Sequence, residues 1–178
     1  MAASKNIILG AGLFYVAPHT EGAINMSTVA VEDNLLGYTS GGATLTYTPT
    51  TKTIEDDCGY VRKTFQSSAE ASIKTGLLTF DAETISRLIS ACSIDTSGDK
   101  KTLKLNGGKS VLKQMDVVFK YDGEDSTIMI GMVATNTSPL ELAFNKENES
   151  TVDIEFSAES NGVDTPLITW EEPPKASA

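Results

Sequence analysis

Between Thr44 and Ala91 the chain runs through an alternating strand, a long polar segment, a second alternating strand and one short helix. That order restricts it to a sheet-based fold with a single flanking helix. In the first strand Ala43, Leu45 and Tyr47 share one face and Thr44, Thr46 and Thr48 the other, so one face seeks a core and the other stays polar. From Ala69 to Leu78 the pattern repeats, and the chain then passes through Phe80-Asp81 into Ala82–Ala91. There Ile85, Leu88, Ile89 and Cys92 fall at helical spacing. Asp81 is placed to accept the orphan amides of the first turn, and Glu83 suits the positive end of the helix dipole.

The segment of about 49–66 between the two strands is too long and too polar for a hairpin turn, and reads as an inter-strand loop. Its acidic triplet Glu55, Asp56, Asp57 lies close to the basic pair Arg62, Lys63. Two readings stand side by side: a solvated excursion, or a contact arm that orders on assembly.

Charge and length bound the rest. One domain spanning 1–178 is expected, large enough for a real core. A net charge of −10 disfavours gripping phosphate backbones, which takes Lys and Arg. No apolar run approaches the ~20 residues of a membrane span. The N-terminus is a poor secretory signal, and Ile7–Phe14 reads better as the first strand. Cys58 in the loop and Cys92 in the helix are expected as reduced thiols.

Most of the remainder reads as β structure. Thr102–Leu105 precedes a turn at Asn106-Gly107-Gly108, Val111–Tyr121 alternates imperfectly, and Ser126–Ala134 is apolar on both sides, like a strand covered on two faces. Asp122-Gly123 is a hairpin signal between the last two. Thr151–Glu159 alternates cleanly, Thr165–Trp170 suggests a last edge strand, and a tail at about 171–178 is expected to fray. The fold class is therefore mainly β, a β-sandwich or partial barrel with one short flanking α-helix.

Motifs for chemistry are scarce, and the chain reads as a non-enzyme with no catalytic, cofactor-binding or metal-binding residue. His19 is the only histidine, without a partner cluster for a triad or a multi-histidine metal site. Gly10 and Gly12 open like a dinucleotide fingerprint, but Tyr15 stands where the third glycine belongs, so strand glycines at a close approach are the better reading. Asp122–Asp125 lacks the spacing of a calcium loop. Asn25, Asn136 and Asn148 match the glycosylation acceptor, which means little without a signal peptide.

The order of strand, long segment, strand and helix over 43–91, the early Gly12–Pro18 and the ending Asp164–Trp170 together resemble the major tail tube protein of tailed bacteriophages. The resemblance spans nearly the whole chain. It implies a subunit of hexameric rings that stack into the conduit for the genome, made in the host bacterial cytoplasm and located in the virion tail. Implied partners are further copies of the chain, the tape measure protein, and tail terminator or baseplate proteins. DNA would pass through the lumen without specific binding, and no membrane is involved. The loop would reach toward neighbouring rings through Glu55, Asp56, Asp57, Arg62 and Lys63. The inner sheet would use strands at about 43–48, 68–80, 111–121 and 126–135, with Thr44, Thr46, Glu70, Ser72, Gln114 and Asp116 facing the lumen in one register. Six such sheets would close a barrel of about 24 strands, roughly 50 Å across at ~4.8 Å strand spacing and ~45° tilt, wide enough for duplex DNA. A non-tail structural or carbohydrate-binding β-sandwich is the competing expectation, with Trp170 and the Thr-rich faces as docking surface.

Overall fold

The computed structural model describes residues 12–78, 81–123, 127–142, 151–160 and 165–172. The chain is mainly β. It begins with β1 (Leu13–Pro18), a short α1 (Met26–Val29) and a 3₁₀ turn at Glu32–Asn34. Two long strands follow, β2 (Leu35–Glu55) and β3 (Arg62–Leu77), then α2 (Ala82–Leu88) and the hairpin of β4 (Cys92–Ser97) and β5 (Lys100–Leu105). The last strands are β6 (Met115–Asp122), β7 (Thr127–Asn136), β8 (Val152–Ala158) and β9 (Thr169–Glu171).

The main sheet runs β6-β1-β2-β3-β8-β7-β9, and β6 also pairs with β7. It therefore closes on itself as a six-stranded antiparallel barrel with β9 added beside β7. Closure removes most sheet edges, the places where a β protein is open to unwanted pairing. Phe14, Ile73, Leu77, Val117, Met132 and Phe156 fill the interior. The Phe14 ring lies 5.2 Å from that of Phe119 and 6.3 Å from that of Phe156.

A second, smaller core forms outside the barrel, where α1 lays Met26 and Val29 over Tyr15 and Val118. This explains the doubly apolar β7. A Cβ at Gly131 would stand 2.6 Å from Met26 Cγ and Sδ, so α1 needs the bare backbone there. Gly12 is likewise a close-approach glycine, since a Cβ would come within 2.4 Å of the Phe119 ring; Gly10 lies outside the described residues.

The helix starts as its sequence dictates, with Asp81 Oδ1 accepting from the Thr84 amide at 2.7 Å. It ends at Leu88, sooner than the expected Ala91. Ile85 and Leu88 are buried, whereas Ile89 is the C-cap and Cys92 opens β4. Cys92 packs its thiol against the Ile89 carbonyl at 3.0 Å, and both cysteines are free thiols.

Two strand expectations shift. The strand expected from Val111 starts only at Met115, and Val111 is 90% exposed. The first strand is Leu13–Pro18; the apolar residues before Gly12 lie outside the described residues, as do Asn148–Ser150, Glu124-Asp125 and most of the tail.

Candidate assembly surfaces

The segment expected as a loop over 49–66 is instead the outer half of a hairpin. β2 and β3 pair without a break in direction from Thr39↔Leu77 to Glu55↔Arg62, and only residues 56–61 turn the chain. Threonines at Thr46, Thr48, Thr50, Thr51 and Thr53 favour the pleated backbone despite their polarity. Pro49 is tolerated because the arm is only two strands wide, so each strand has an outer edge. β1 covers β2 only over Leu35–Tyr38, and β8 covers β3 only over Ser72–Leu77. Beyond Thr48 the arm projects for about 25 Å at ~3.3 Å per residue. Gly41 and Gly42, with φ of 73° and 79°, form the bulge where β2 leaves the barrel wall.

Pairing register sorts the arm into two faces. On one, side chains satisfy one another: Gln66 Nε2 donates to Tyr47 Oη at 3.0 Å, Thr53 and Thr64 hydroxyls meet at 2.9 Å, and Arg62 Nε pairs with Glu55 at 3.0 Å. On the other, Lys52 stands opposite Phe65 and Lys63 opposite Ile54. Neither lysine enters an ion pair among the described residues. At the tip Asp56 holds the turn, its carboxylate accepting the Val61 amide at 2.8 Å, and Gly59 takes φ 70°. Asp57, Cys58, Tyr60 and Val61 are exposed. Of the five charged positions expected to act in contact, the structure thus joins Glu55 to Arg62, spends Asp56 on the turn, leaves Asp57 in solvent and puts Lys63 on the opposite face.

Thr44, Thr46, Ser72 and Glu70 do share one outward face, through the pairings Thr46↔Ser72 and Thr48↔Glu70. Gln114 and Asp116 do not belong to it. The four strands expected as one inner sheet form two hairpins on opposite walls, with β1 inserted between β2 and β6 and β8 between β3 and β7. The neighbour of β3 on that face is β8, which adds Asp153, Glu155 and Ser157; Lys74 pairs with Glu155 at 3.0 Å. Long-range pairing carries no local signal, so the alternation of β8 does not by itself place it beside β3.

Asp116 is instead buried, its Oδ1 hydrogen-bonded with His19 Nδ1 at 2.6 Å. His19 therefore has the partner its sequence context did not show, and its amide extends the β1–β6 ladder by donating to the Gln114 carbonyl at 3.1 Å. The Gln114 side chain is exposed and donates to Glu159 at 2.6 Å. This pair borders a groove of about 1010 Å³ between the end of β1, the start of β6 and α2. Val16, Leu112 and Met115 supply apolar lining, and Asp33, Arg87, Lys113 and Glu159 supply charge.

Among the described residues no three His, Cys, Asp or Glu side chains gather as a metal site, and no helix is long and apolar enough to cross a membrane. No family model and no curated protein matches the chain.

Proposed function

We propose that this chain is a structural subunit that self-assembles into stacked hexameric rings, forming the tail tube of a tailed bacteriophage through which DNA reaches the host. The observation that carries the reading is the arm, a two-stranded hairpin projecting from a closed barrel with Ile54, Tyr60, Val61 and Phe65 exposed. A lone two-stranded ribbon is marginal in water, and apolar side chains gathered on a projection mark a contact surface. Supporting it, the outward face where β2 and β3 run beside β8, from Thr44 to Thr48, Glu70 to Lys74 and Asp153 to Ser157, is polar and carries Glu70, Asp153 and Glu155 against Lys74, as suits a wall past which DNA slides. In this reading the inner sheet is built from those strands, and Asp153 and Glu155 take the places expected of Gln114 and Asp116. The tube lies in the virion tail, with the tape measure, terminator and baseplate proteins as neighbours.

Trp170, half exposed on β9 with its indole donating to Glu172 at 2.8 Å, favours one second reading, a carbohydrate-binding β module. Sedimentation velocity beside a glycan array separates the two. Concentration-dependent growth to ring or tube mass without glycan binding supports the tube; a monomer that binds glycans overturns it.

A further inference from the structure

Among the described residues, exposed large apolar side chains gather on the projecting arm, and the two neighbours Val111 and Leu112, 90% and 50% exposed, stand on a surface of opposite shape, the rim of the groove beside His19. We infer that the arm of one copy seats in this groove of a second copy, with the Ile54–Phe65 face inward. The inference rests on the proposed self-assembly and adds to it the face used and the surface that receives it.

Three observations carry it. The first is face asymmetry. The Tyr47–Glu55 face has its polar groups bonded to one another, while the opposite face presents Ile54 and Phe65 between two lysines without an ion pair. Docking the second face costs fewer existing bonds. The second is charge. Lys52 and Lys63 on the arm are opposite in sign to Asp33 and Glu159 at the groove, and Asp56 and Asp57 of the turn to Arg87 and Lys113. Asp33 and Lys113 enter no side-chain ion pair among the described residues. The third is shape. The groove stands at the top of the range of about 300–1000 Å³ usual for pockets, room for several side chains. A projection and a receptor on different surfaces of one chain make a heterologous contact, which propagates into rings or filaments instead of stopping at a dimer.

Cys58 at the arm tip gives the test. In Leu112→Cys protein at assembling concentration, a short bis-maleimide is expected to join Cys58 of one copy to position 112 of another, read as a ladder on a denaturing gel and mapped by peptide mass spectrometry. Cys58→Ser should abolish the ladder. Lys52→Glu with Lys63→Glu should cut its yield roughly tenfold, as two weak charge contacts would, and adding Asp33→Lys should restore part of it. Assemblies visible by microscopy without this cross-link, or joined Cys58 to Cys58, overturn the docking while leaving the tube intact. The cross-link in closed oligomers that do not stack supports the docking and contradicts the tube. A chain that stays monomeric overturns both.

Discussion

Leu88 and Ile89 are adjacent in sequence yet differ in what they hold. Leu88 is 3% exposed inside the main core, whereas Ile89 caps the helix and only borders that core. Leu88→Ala is expected to cost ~2–5 kcal/mol and Ile89→Ala less, in chemical denaturation of the two variants. Equal losses would mean that the helix runs on past Leu88. Asp81 offers a second check. Its hydrogen bond from the Thr84 amide holds the carboxyl below its ordinary range. A folded value lowered relative to the unfolded chain gives stability present above pH of about 4 and lost as pH falls below it. Asp81→Ala should therefore cost ~0.5–2 kcal/mol at neutral pH, a difference that shrinks in acid. The cap and the Ile85–Leu88 stripe were legible because they obey local rules. The early stop was not, because Cys92 sits at helical spacing yet belongs to β4, paired with Leu105.

The arm is the element that polarity disguised. Threonine and lysine look like loop, but alternating β-branched residues followed by Asp56–Gly59 make a hairpin whose strands bury almost nothing. With so little apolar burial to stabilise it, the arm should open locally far more often than the barrel. Hydrogen exchange is expected to be fast over 48–55 and 62–69 in the monomer and slow in the assembled form, with β7 slow in both. Equal arm protection in the two states would remove its role in contact. Deleting the arm between Thr48 and Glu70 and bridging it with a short turn should leave a cooperatively folded barrel that no longer polymerises. The β4–β5 hairpin shows the same limit: Thr102–Leu105 reads as a strand, but its partner β4 opens on Cys92, which falls at helical spacing.

At the scale of the molecule, the mainly β class, the doubly covered β7 and the clean alternation of β8 follow from period and composition. Barrel closure does not, because β1 joining β2 to β6, and β8 joining β3 to β7, are pairings between distant segments. That difference keeps Glu70 on the outward acidic face, removes Asp116, which is bonded to His19, and adds Asp153 and Glu155. Replacing Glu70 and Glu155 with lysine should leave tubes that form but pass DNA slowly, an effect that fades as salt rises. Normal ejection in low salt would take these residues off the lumen wall. The central claim is self-assembly through the arm. Negative-stain microscopy of the purified chain beside its arm-deleted variant tests it: the account predicts stacked rings or open-ended tubes for the first and single barrels for the second, and tubes from both, or from neither, would contradict it.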